Sequence, residues 1–150
     1  MERTLLELTS LEEALRGYDI YKDCMYLPSE EKFRRKMTGY LADGAVKVFA
    51  CLDEGQWQGM AVLRLLDNIG DKAELLGIAT APHARGKGIG TFMVSQLMAR
   101  CQLQELAAET DDDAVVFYRK AGFAVEPFAE TYDGETVTRY RCVWKERGRG

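Results

Sequence analysis

A chain of 150 residues is about one domain long, enough to bury a single substantial core. Hydrophobic residues at 47% and charged residues at 29% describe a globular chain rather than a disordered one. The net charge of −4 argues against a nucleic-acid partner, whose phosphates reward an excess of Lys and Arg; it fits a cationic substrate, but serves solubility just as readily.

The first residues, Met1-Glu2-Arg3-Thr4-Leu5-Leu6-Glu7, lack the basic-then-apolar layout of a signal peptide. No apolar run approaches the roughly 18 residues that cross a bilayer, so no membrane partner is expected. Cys24, Cys51, Cys101 and Cys142 lie far apart without a Cys-x-x-Cys pair, and His83 is the single histidine. No metal is therefore expected, and the cysteines read as reduced thiols in a cytoplasmic protein.

Residues 4–8 can form a short strand. Ser10 followed by Glu13 is a capping box, so a helix is expected from Leu11 toward Tyr21. A second helix should start near Pro28-Ser29 and end at Tyr40 or Leu41, with Phe33, Met37 and Leu41 as its buried stripe. Strands follow at 46–52 and 57–66, joined by the turn Asp53-Glu54-Gly55, and a further turn at 68–71 leads to a strand over 72–80. A helix over 89–100 carries Ile89, Phe92, Met93 and Leu97 at helical spacing. A strand at 105–109 precedes a helix over 111–120, closed by Gly122 as a C-cap. Strands at 123–125 and 136–144 end the chain. The order predicts an α+β fold, a single domain over residues 1–150 with a mixed, mostly antiparallel sheet and helices on both faces.

The most informative stretch runs Ile78-Ala79-Thr80-Ala81-Pro82-His83-Ala84-Arg85-Gly86-Lys87-Gly88-Ile89-Gly90-Thr91: a strand, a turn, three alternating glycines, then a helix. Glycines there let backbone approach a ligand. The first N–H groups of the helix lack internal partners and, with the helix dipole, form an anion site suited to a diphosphate. Arg85 and Lys87 add positive charge. A Walker A loop needs Ser or Thr after Gly-Lys, and a dinucleotide fingerprint needs Gly-x-Gly-x-x-Gly; neither fits. A glycine-rich turn without a ligand is the competing reading of those glycines alone.

Arg85-Gly86-Lys87-Gly88-Ile89-Gly90 resembles the Arg/Gln-x-x-Gly-x-Gly/Ala signature of the GNAT superfamily of N-acetyltransferases. Asp111-Asp112-Asp113-Ala114-Val115-Val116-Phe117-Tyr118-Arg119-Lys120-Ala121-Gly122-Phe123 is similar to the family's second motif, a helix ending Phe-Tyr-x-x-x-Gly-Phe. The two motifs stand in the family's order and cover roughly residues 72–126.

The resemblance implies that the strands at 72–80 and 105–109 run parallel and splay apart. The backbone of Ile78, Ala79 and Thr80 would then hydrogen-bond the pantetheine arm of acetyl-CoA, the co-substrate, like an added strand. The backbone of Arg85, Gly86, Lys87, Gly88, Ile89, Gly90 and Thr91 would hold its diphosphate. Many members carry Asn seven residues before the Tyr, facing the pantetheine; Asp111 stands there in this chain and can also cap the helix. Tyr118 matches the acid that assists the departing thiolate. Glu74 is the candidate base, placed by strand alternation on one face with Leu76, Ile78 and Thr80; Glu109 is its rival. His83 is expected to be an exposed loop residue.

The function implied is transfer of an acetyl group from acetyl-CoA to a primary amine by direct attack with general acid/base help. A non-catalytic acetyl-CoA sensor is the alternative. In the family the acceptor is set by the N-terminal helices and last strands, here about 11–41 and 126–144, which carry no readable motif. Tyr18, Tyr21, Tyr26 and Tyr132 fit either an acceptor cleft or packing. Small amine, peptide N-terminus and protein lysine all stay open, and so does the oligomeric state, a homodimer among the options.

Overall fold

The computed structural model describes residues 3–66 and 71–145; the turn expected at 68–71 lies outside them except for Asp71. The N-terminal strand β1 (Arg3–Leu8) forms one edge of a sheet. Ser10 then caps α1 (Leu11–Leu15): its hydroxyl accepts the Glu13 N–H at 3.2 Å, while Glu13 accepts the Thr9 N–H at 3.3 Å. The expected single helix breaks at Gly17 and resumes as α2 (Tyr18–Tyr21), followed by a 3₁₀ turn over Lys22–Cys24. Only glycine fits at the break, because a side chain at Gly17 would stand 2.6 Å from the Met60 sulfur.

Ser29 caps α3 (Glu30–Ala42), accepting the Lys32 N–H at 3.1 Å. Its Phe33 and Met37 are fully buried, and Tyr18 and Tyr21 pack on the Phe33 ring. Burying each side chain of this size contributes about 1.5–3 kcal/mol. The strands β2 (Val46–Asp53), β3 (Gln56–Leu66) and β4 (Lys72–Thr80) then form the expected antiparallel meander.

After a 3₁₀ turn over Pro82–Ala84 come α4 (Ile89–Arg100) and β5 (Glu105–Thr110). Helix α5 covers Val115–Ala121, four residues later than the sequence suggests. Asp111 instead nucleates the turn ahead of it, its Oδ1 accepting the N–H groups of Asp113 and Ala114 at 3.0 and 3.1 Å. Gly122, at φ 101°, ends α5 as the C-cap. The hairpin β6 (Ala124–Tyr132) and β7 (Glu135–Lys145) closes the chain.

The sheet has seven strands in the order β1-β2-β3-β4-β5-β7-β6, and β4–β5 is its parallel pair. Strand β6 is much longer than its sequence signal. It is an edge strand, where Pro127 removes no needed donor and the exposed Glu126 needs no apolar alternation.

Helices cover both faces. Tyr21 of α2 lies against Gly77 on one face, and Met93 of α4 lies against Gly59 on the other. Helix α3 joins α2 through the aromatic contacts at Phe33, and α5 joins α4 where Phe117 fills the space beside Gly90. Among the described residues no helix is long and apolar enough to cross a membrane.

Candidate active site

The parallel pairing of β4 with β5 runs only from Lys72↔Glu105 to Glu74↔Ala107. Beyond it, β4 continues to Thr80 while staying paired to β3, and β5 turns its other edge to β7 through Thr110↔Tyr140. The strands part like a V. Parting leaves one backbone edge of β4 over Ile78, Ala79 and Thr80 free of a strand partner, and unpaired strand groups are a ready template for an extended ligand.

The free edge runs toward the glycine loop. Gly86 and Gly88 both sit at φ 78°, in the left-handed region open to glycine at little cost, and Gly88 is the N-cap of α4. Arg85, Gly86, Lys87 and Gly88 are exposed, as is Thr91, while Ile89 and Gly90 are buried where α4 enters the core. Gly90 therefore serves packing as well as the loop. The free edge, the left-handed glycines and the open N-terminus of α4 together fit an acyl-CoA: a strand-like arm and a doubly charged diphosphate.

Two neighbours of this site have no signal in the sequence. Asp23, in the turn after α2, holds the Arg85 guanidinium at 2.6 Å. Next to it, Cys24 donates from its sulfur to the Tyr21 carbonyl at 3.2 Å, and the Ile78 N–H faces that sulfur. The residue's outer surface is exposed, yet its sulfur is turned inward, and burial there pushes the thiol up to about 11.

Tyr118 lies on α5, 6% exposed, between the rings of Phe117 and Phe123 at 5.0 and 5.1 Å, both edge-on. Burial above all, then the nearness of Cys142, Cys24 and Asp111, holds its phenol well above the ordinary value. Tyr118 and Cys24 thus approach one another from opposite sides of the parted strands.

The position of Glu74 corrects the alternation read from sequence. Val62 pairs with Gly77 and Leu63 with Leu75, so Leu76 is an extra residue, a bulge in β4. Cross-strand partners share a face and consecutive residues of β3 alternate, so Leu75 and Gly77 fall on opposite faces. Glu74, opposite Arg64, consequently shares its face with Gly77 and Ala79, not with Ile78 and Thr80. That is the face of α2 and α3. Glu109, two residues beyond the partner Ala107, looks onto the same face but is exposed and lies 3.9 Å from Arg141. No ion-pair partner of Glu74 occurs among the described residues.

His83 is exposed in the turn before the loop, as expected. Asp111 is exposed with one carboxylate oxygen committed to two backbone N–H groups. Of the tyrosines considered for an acceptor cleft, Tyr21 is buried, Tyr18 half-buried, and Tyr26 and Tyr132 exposed. A depression of about 560 Å³ lies on the face of Glu74, on the strands beyond β5. Its walls set Glu105 and Glu126 against Arg141 and Lys145, so its charge is balanced and does not select a cation.

Comparison with known proteins agrees with this geometry. Among curated proteins none matches the chain by sequence. Among solved structures, a mutant of spermidine N-acetyltransferase from Vibrio cholerae superposes with a TM-score of 0.73 at 17% identity, covering 95% of this chain and 93% of that one. A dodecameric form of the Vibrio cholerae enzyme gives 0.71 at 19% identity, with 95% and 93% covered. A GNAT-family protein from Desulfovibrio desulfuricans gives 0.77 at 16% identity, with 96% and 99% covered. At such identities these likenesses establish the fold. Residues 14–123 match the model of the acetyltransferase (GNAT) family, whose co-substrate is acetyl-CoA. The chain belongs to that family, and is an acetyl-transferring enzyme of the N-acetyltransferase fold.

Proposed function

We propose that the chain, acting as one domain, binds acetyl-CoA between the parted strands and acetylates a primary amine that reaches the thioester from the face of α2 and α3. The observation that carries this reading is the early parting of β4 from β5 beside a loop with two left-handed glycines. In this reading the backbone of Ile78, Ala79 and Thr80 aligns the pantetheine arm. The loop from Arg85 to Thr91, with the N-terminus of α4, receives the diphosphate. Arg85 is released from Asp23 to do so. Asp111 contributes by fixing the turn before α5, where Tyr118 begins its approach.

An alkylamine with a pKa near about 10.4 is almost wholly protonated at neutral pH and cannot attack until a base takes its proton. Glu74 suits that role, because it stands where the strands part and looks onto the acceptor face. Tyr118 suits the opposite role, on the other side of the sheet. Its raised pKa keeps the proton on the phenol at neutral pH, ready to be shared with the sulfur as charge develops there. Base and acid on opposite faces let the amine enter by one side while the leaving thiol is met from the other.

The acceptor is an amine of a small molecule or of a peptide or protein. The spermidine named for the Vibrio cholerae neighbours makes polyamines the first class to try. All four cysteines are free, which supports a reducing, cytoplasmic setting. Mass spectrometry of acetyl-CoA turnover against polyamine, aminoglycoside, small-amine and peptide pools tests the reading. An N-acetylated product with matching release of CoA is expected. Tight acetyl-CoA binding with no product from any pool would favour the sensor instead.

A further inference from the structure

The glycine loop is held from an unexpected direction. Arg3, at the start of the edge strand β1, reaches across to the loop, and its Nη2 donates to the Lys87 carbonyl at 2.7 Å. The same guanidinium lies 5.9 Å from the Phe92 ring centre and 3.9 Å from Asp53, its partner across β1–β2. Packed in this way the side chain is only 33% exposed.

The peptide that joins Lys87 to Gly88 turns about ψ of Lys87 and φ of Gly88, and Gly88 sits at φ 78°. Glycine on its C-terminal side lowers the cost of rotating that peptide plane, because φ of Gly88 is free to take either sign. A planar trans peptide points its C=O and N–H in opposite directions. One orientation therefore turns the Gly88 N–H toward a phosphate. The other turns the Lys87 carbonyl there, where its partial negative charge repels the ligand. Arg3 takes the carbonyl on the far side and so selects the first orientation, with the strength of a charge-assisted hydrogen bond.

We propose that Arg3 is a positioning residue for acetyl-CoA: it locks the Lys87–Gly88 peptide so that the Gly88 N–H faces the diphosphate. The inference rests on the reading of the loop as the diphosphate site. It concerns donor affinity alone, since Arg3 is remote from Tyr118 and Glu74 in the fold.

The test compares acetyl-CoA with S-acetylpantetheine, which keeps the thioester arm and lacks the phosphates. Dissociation constants are measured by calorimetry and by saturation of the thermal shift for the wild type, Arg3→Ala and Arg3→Lys. Arg3→Ala should weaken acetyl-CoA about tenfold, in line with the loss of a charged hydrogen bond, and leave S-acetylpantetheine unchanged. Arg3→Lys, which keeps a cationic donor, should recover part of the loss. A folded Arg3→Ala protein that binds acetyl-CoA normally, or loses both ligands equally, overturns the role of Arg3 alone. A wild type that binds both ligands equally well overturns the loop reading and this inference together.

Discussion

The ring of Phe117 occupies the space that a side chain at Gly90 would need. One residue belongs to the glycine loop's helix α4 and the other to α5, so the two motifs are packed against one another. Gly90→Ala should destabilise the fold by about 1–3 kcal/mol through overpacking. Adding Phe117→Leu should return part of that loss, because the smaller side chain makes room. Denaturant unfolding of both variants checks this, and a non-additive pair is the expected outcome.

Tyr118→Phe keeps the edge-on ring contacts and removes the hydroxyl. Turnover should fall toward the lower part of the range for general-acid help, about 10²–10⁴-fold. Affinity for acetyl-CoA should change by less than about 1 kcal/mol. The loss should shrink with acyl donors whose leaving thiols are more acidic. Because burial raises the phenol's pKa, wild-type turnover should show no Tyr118-dependent decline until well above neutrality. Wild-type turnover in a folded Phe variant, with chemistry rate-limiting, would leave Tyr118 as core packing.

For Glu74 the discriminating readout is pH. Glu74→Gln should lower turnover most at low pH, where free amine is scarcest, with acetyl-CoA affinity nearly intact. Glu109→Gln should do little, since that carboxylate is exposed beside Arg141. If the two variants exchange these outcomes, the base is Glu109.

Cys24 should be a slow thiol for its exposure. A rise from the usual 9.0 to about 11 lowers the thiolate fraction near neutrality by about a hundredfold, and thiolate is the reactive form. Alkylation followed by peptide mapping should therefore be slow at Cys24, and slower still with acetyl-CoA bound. The fold favours the protonated thiol, so its contribution to stability is whole below about pH 9 and is lost as pH rises through about 11. Cys24→Ser should flatten that alkaline decline in Tm.

The loop and the α5 motif were legible because their chemistry is local. Glycines at 86 and 88 announce a left-handed turn, and Gly122 announces a helix end. The capping box at Ser10 and Glu13 likewise marks the start of α1 at Leu11, and the start of α3 falls beside the expected Pro28-Ser29. The face of Glu74 was not legible. The run Leu75-Leu76-Gly77-Ile78-Ala79 carries no polar residue to mark the register, and only pairing with β3 exposes the extra residue at Leu76. The need for glycine at position 17 depends on a sulfur more than 40 positions away in sequence, at Met60. Arg3, Asp23 and Cys24 were missed for the same reason: each reaches the site by tertiary contact, and no spacing rule connects them to residues 78–91.

Calorimetric titration of the intact chain with acetyl-CoA, beside Gly88→Val, tests the central claim most directly. Valine at the left-handed position before α4 puts bulk and strain where the diphosphate is received. The wild type should bind one acetyl-CoA saturably and gain thermal stability with ligand concentration, since a ligand selective for the folded state stabilises it. The folded Val variant should give neither heat nor shift. An absence of binding by the wild type at millimolar acetyl-CoA, or undiminished binding by a folded Gly88→Val protein, would contradict the account.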